Sequence, residues 1–241
     1  MLARLREDHG PVGVLVLTES RHLSNDDLSL IEATGAAWRG DHLDAGVGVY
    51  TFNSHGIDSA DGAWSTPRDT ESQRARTERQ RRWTLGVEVA GPHSFFLLAV
   101  WADNRWAYRP ADDAIKHSAQ RFKQGDAIVA GDFNNGCRWD GTRGNEKDHR
   151  HTVDLLQGHG LTSAYHRSRG IEEHVDVDES DKTFWSGYKQ DKGDHIDFIY
   201  APTNWISADP DSVSIGTWHD YASPEHRLSD HAPVIAELKP Q

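Results

Sequence analysis

Short apolar runs, each closed by a turn signal, recur along the chain from Pro11 to Leu238. Such runs read as buried strands. The pattern predicts strands at 11–17, 46–52, 94–102, 126–134, 161–166, 183–185, 194–200, 213–216 and 233–238. Trp83, Leu85, Val87 and Val89 alternate strictly, which predicts one further strand with a wet face. Helical spacing is rarer. Ser24 with Asp26 and Asp27 supplies an N-cap and first-turn acids, Leu28 and Ile31 follow, and Gly35 is read as the stop. Pro110 opens a helix over 110–122 with Asp112 and Asp113 in its first turn, and a short helix is expected over 152–158. Residues 53–82 show no period and read as an irregular excursion. No internal repeat or linker divides the chain. Many strands with few helices between them predict packed sheets with helices outside, in one α+β domain over 1–241.

The chemistry concentrates where strands end. Ala127-Ile128-Val129-Ala130 runs into Gly131, then Asp132, Phe133 and Asn134. Side chains alternate along a strand, so Asp132 and Asn134 are expected on one face and Phe133 in the core. A carboxylate beside an amide suits holding a water next to a phosphate. The same residues also serve an ordinary Asx turn at a strand end. Two further clusters show the same ambiguity. His195 and Asp197 are expected to share a face of a late strand, which reads equally as a polar face. Ser229-Asp230-His231 opens the last strand, where Ser-Asp alone is a turn signal.

Composition narrows the class. The formal net charge of −12 disfavours clamping of nucleic acid by bulk electrostatics. It leaves room for a metal-dependent enzyme on phosphate esters, because a bound cation inverts the local field. The single Cys137 excludes a disulfide framework and reads as an incidental small residue. No apolar run reaches membrane-spanning length, and no signal core precedes Pro11, so a cytoplasmic protein without a membrane partner is expected. No obligate protein partner is indicated. Six acids crowd 172–181, and six arginines against three acids occupy 68–82. Both read as solvated surface; the arginines read alternatively as a phosphate-backbone contact, and the acids as a feature that repels a polyanion.

Leu17-Thr18-Glu19, Gly131-Asp132-Phe133-Asn134, His195-Ile196-Asp197-Phe198 and Ser229-Asp230-His231, in that order, resemble the endonuclease/exonuclease/phosphatase superfamily over nearly the whole chain. The resemblance implies a four-layer α/β/β/α sandwich with two packed mixed sheets. It implies a divalent metal, Mg2+ or alternatively Mn2+, at Glu19 with Asp230 beside it. Asp132 would orient or deprotonate the attacking water, and Asn134 would hold that water or a phosphate oxygen. His231, paired with Asp197, would donate to a phosphate oxygen, and His195 is carried as a substrate contact. The implied reaction is hydrolysis of a phosphate ester, with a nucleic-acid phosphodiester as the first substrate class. A small soluble phosphate ester is the second, and a catalytically silent binding protein the third. The chain departs from the family pattern twice. No strand with a Trp-Asn pair precedes Glu19, so a first strand is read as missing. Trp101 stands where relatives place a His or Tyr, and indole only donates.

Overall fold

The computed structural model describes residues 5–7, 10–41, 45–60, 84–102, 108–141, 148–173 and 181–241. The arginine-rich 68–82 and most of the acidic 172–181 lie outside these residues. Strands β1 (Val14–Ser20), β2 (Gly35–Asp41), β3 (Ala45–Thr51), β4 (Gly56–Ala60), β5 (Thr84–Ala90), β6 (Phe95–Trp101) and β7 (Ala127–Asp132) come first. They are followed by β8 (Leu161–Ser163), β9 (Phe184–Trp185), β10 (Gly193–Asp194), β11 (Asp197–Pro202), β12 (Val213–Ile215) and β13 (Val234–Ala236). The helices are α1 (Asn25–Leu30), α2 (Tyr108–His117), α3 (Ala119–Phe122), α4 (His149–Gln157), α5 (Ala164–Arg169) and α6 (Trp218–Tyr221).

A six-stranded sheet, ordered β4-β5-β6-β7-β11-β8, forms the centre. It is mixed: β6 and β7 run parallel, and the other pairs antiparallel. Alternation sorts its side chains to two faces. Leu98, Val100, Val129, Phe198 and Tyr200 pack with Ala111, Ala114 and Ile115 of α2, Phe122 of α3, and Val153 and Leu156 of α4. Leu97, Ala99, Ile128 and Ala130 face the other way, against Val47 and Val49 of β3 and Val213 of β12. Val14, Val16, Val234 and Ala236 join that second cluster from β1 and β13. Tyr221, Ala222 and Ala232 form a third, smaller cluster with Trp218 and Ile235. The result is the expected α+β arrangement of helices and packed sheets.

The second layer consists of two separate antiparallel sheets, β1-β3-β2 and β12-β13. Among the described residues no strand joins β1 to β13. Every residue of β1 is half-buried or exposed, whereas β3 is almost wholly buried.

Three elements differ from the sequence pattern. Gly35 does not stop α1; it opens β2, whose residues Gly-Ala-Ala-Trp-Arg-Gly-Asp have little strand propensity and are held by full-length pairing with β3. β4 lies within the excursion and pairs with β5. The strand expected over 161–166 ends at Ser163, because the Ser163 hydroxyl accepts the N–H of His166 and starts α5.

Candidate functional site

Strand register builds half of the site. Trp101 of β6 and Asp197 of β11 both lie opposite Asp132 of β7. Directly opposed residues share a sheet face. These three therefore continue the face of Ala99, Ala130 and Ile199, turned toward the second layer. Gly131, with φ at +137°, sets up this row: a Cβ there would collide with the carbonyl oxygen of Val100 on β6. Only glycine fits so close an approach.

The second layer supplies the rest through irregularities. In β1, Leu17 pairs with Gly48 and Ser20 with Gly46, so the pairing slips between them. Such a bulge re-aims a side chain. Glu19 occupies it with φ at 51°, a conformation a glutamate adopts only when its surroundings demand it. His231 precedes β13, bridged to Phe184, with ring centroids 4.8 Å apart.

These residues converge. One ligand atom from each of Glu19, Asp132 and His231 lies within 4.8 Å of the others. Behind His231, Nδ1 sits 2.9 Å from Asp197 Oδ2, so Nε2 is the ring nitrogen left for a further partner. Asp132 is fully buried. Its Oδ1 accepts the Asn134 N–H at 2.7 Å, and its Oδ2 accepts from Asn134 Nδ2 at 2.8 Å. Asn134 Nδ2 also donates to the Ala102 carbonyl at 2.7 Å. Both amide hydrogens are thereby engaged, and Asn134, itself at φ 48°, clamps Asp132. The Asx turn is thus what the Asp132–Asn134 pair forms, and it leaves no Asn134 amide hydrogen for the water or phosphate oxygen that the resemblance assigned to it.

Burial pushes the Asp132 carboxyl well above its ordinary range, and the neighbouring Asp197 charge adds to the effect. For His231, burial alone favours the neutral ring. The charge and hydrogen bond of Asp197, with Asp132 and Asp230, outweigh it and raise the imidazole to about 10. The site therefore favours the charged imidazole at His231 and the neutral acid at Asp132.

Two expected residues stand apart from this convergence. The Asp230 carboxylate is outside the cluster of close ligand atoms; its backbone oxygen accepts from Trp185 N, and its charge acts on His231. His195 does not share a face with Asp197. The strand breaks between β10 and β11, where both Ile196 N and Asp197 N donate to Thr183 Oγ1. Alternation holds only along a continuous strand. His195 instead lies buried, its ring 4.5 Å from Tyr165 and 4.8 Å from Phe198, with Nδ1 2.7 Å from the Asp181 carbonyl. Sequence reasoning missed Thr183, whose buried hydroxyl makes this bend; a lone Thr beside two aromatics carries no signal for it. It also missed that the Trp101 indole N–H donates to Glu19 Oε1 at 3.2 Å. Of the acidic stretch, Glu173 accepts from Ser163 N at 2.6 Å, Asp181 pairs with Arg169 at 3.0 Å, and Cys137 Sγ donates to the Glu173 carbonyl.

The donor set fits a divalent cation. Glu19 and Asp132 offer carboxylate oxygens, which suit a hard ion such as Mg2+. The crowding of Asp197 and Glu19 that disfavours charge on Asp132 is what a cation would relieve. His231, held charged by Asp197, is disposed to donate rather than ligate.

No protein-family model matches the chain, and no curated protein matches it in sequence. Solved structures do match. The endonuclease/exonuclease/phosphatase from Bacteroides vulgatus superposes with a TM-score of 0.63 at 16% identity, over 100% of this chain and 89% of its own. The AP endonuclease from Archaeoglobus fulgidus gives 0.60 at 13% identity, over 97% and 91%. ANGEL2, a 2',3'-cyclic phosphatase in complex with adenosine-2',3'-vanadate, gives 0.57 at 11%, over 98% and 84%. The chain has the endonuclease/exonuclease/phosphatase fold.

Proposed function

We propose that the chain is a divalent-metal-dependent phosphoester hydrolase. The observation that carries this is the meeting of Glu19, Asp132 and the Asp197-paired His231 where the two layers face each other. Mg2+ or Mn2+, held by Glu19 and Asp132, would supply charge for the developing phosphate oxyanion. Asp132 would orient the attacking water or take its proton. Asn134 keeps its two oxygens in place. His231 donates through Nε2 to a phosphate oxygen, and Asp197 holds its tautomer and its charge. The water oxygen bonds to phosphorus as the P–O bond to the ester oxygen breaks, and the leaving oxygen takes a proton from solvent.

Nucleic-acid phosphodiesters are the substrate class we favour; the names of the AP endonuclease and of ANGEL2 both point to phosphate esters of nucleotides. A small soluble phosphate ester is the second reading, supported by the net charge of −12. Incubation with Mg2+ and single-stranded DNA, RNA and a panel of small esters tests both. Turnover that Asp132→Asn abolishes is expected. Equal turnover in that variant would sink the assignment, and turnover of small esters alone selects the second reading.

A further inference from the structure

Trp101 stands in the row of site residues with a role that neither proton transfer nor packing describes. Its position is fixed by register: it lies opposite Asp132 in the parallel β6–β7 ladder. Its ring is partly buried against the cluster between the layers. From there Nε1 reaches 82 residues back along the chain to Glu19 Oε1, at 3.2 Å. The contact crosses from the central sheet to the second layer.

Glu19 has the most exposed side chain in the ligand cluster. It is exposed, it follows a slip in register, and its backbone is left-handed. An exposed glutamate samples several rotamers, and fixing one costs conformational entropy. A carboxylate that must meet a cation together with Asp132 gains affinity if that entropy is lost beforehand. Indole has one N–H, no acceptor and no proton to exchange near neutral pH. It orients the carboxylate without competing for the cation and without adding charge, and it occupies a single oxygen, Oε1. Donors behind ligating carboxylates tune metal affinity in this way.

We infer that Trp101 is a positioning residue that holds Glu19 for the divalent cation through its indole N–H. The inference rests on the metal-dependent reading above. The test titrates Mn2+ into the full chain by calorimetry. Wild type is compared with Trp101→Phe and with replacement of Trp101 by benzothienylalanine, which keeps the bicyclic shape and lacks the N–H. Both replacements are expected to weaken the Mn2+ Kd by about 10- to 100-fold. In a Glu19→Gln background they are expected to change the Kd no further. Saturating Mn2+ should restore kcat, with KM for the phosphoester unchanged. An isosteric replacement that binds Mn2+ as tightly as wild type would overturn the inference while leaving the hydrolase reading intact. A wild type that neither binds Mn2+ nor hydrolyses any ester would overturn that reading, and this inference with it, before any variant is compared.

Discussion

The two walls of the site are made by opposite means. The central-sheet wall is regular: Trp101, Asp132 and Asp197 are aligned by uninterrupted ladder pairing. The second-layer wall is irregular: Glu19 sits in a bulge with a left-handed backbone, and His231 stands before β13 on an isolated bridge. Regular pairing fixes acids that must stay put in a dry setting. Irregular backbone turns side chains out of their layer to meet them. Damage to the backbone of the first wall should therefore cost the fold, whereas changes confined to the site side chains of either wall should cost mainly function.

The largest effect is expected from Gly131→Ala. The new Cβ meets the Val100 carbonyl, so β6 and β7 must separate, and the protein should lose its cooperative thermal transition. Next is Asp132→Asn, which should lower hydrolysis by roughly 10^2–10^4-fold. It should also change how stability depends on pH. A carboxyl raised by burial contributes stability below its ordinary 3.8 and loses it as pH rises through the folded value. Asparagine removes that pH dependence, but its NH2 would face a donor of Asn134 where a buried oxygen now accepts, so calorimetry should show a Tm that is lower in acid and varies less with pH.

Asp197→Asn tests the link between the walls. His231 is raised from 6.5 to about 10 with Asp197 as its chief attraction. The stability of the charged pair is fully present below pH 6.5 and fades as pH rises through about 10. Without Asp197 the imidazole should titrate nearer 6.5, as followed by NMR. Hydrolysis at pH 8 should fall by about 10- to 100-fold while the profile below pH 6 moves little. Glu19→Gln, on the irregular wall, should weaken Mg2+ binding at least about tenfold with no fall in Tm. The smallest effect is expected of Ser24→Ala. It removes the capping box of α1, a helix with no buried residue, and should cost about 0.5–1 kcal/mol locally with hydrolysis unchanged.

How much of this was legible in the sequence follows the same division. The pairing of Asp132 with Asp197 was not legible, but the place of Asp132 at the end of a buried strand rests on an apolar run and period-2 alternation, which sequence displays directly. So does the sorting of Leu97 and Leu98 to opposite faces. His195 was misplaced because Thr183 breaks the strand from a distance, and alternation carries no warning of that. β2 was invisible because its pairing with β3 outweighs its own weak propensity. The aim of Glu19 depends on a slip in register, and the Trp101 contact on two sheets meeting, so neither could be read from local pattern. The motif order nonetheless named Glu19, Asp132 and His231, and the fold brings those three together.

The divided second layer has a consequence for motion. Glu19 and His231 belong to sheets with no described strand between them, each seated separately on the central sheet. Each unit is expected to open with a free energy below that of global unfolding. Amide hydrogens of β1 and β13 should exchange sooner than those of β7, and on separate clocks. The site then exists as an assembled constellation only while both units are closed, and a ligand touching Glu19 and His231 together would act as the clasp that slows both clocks at once.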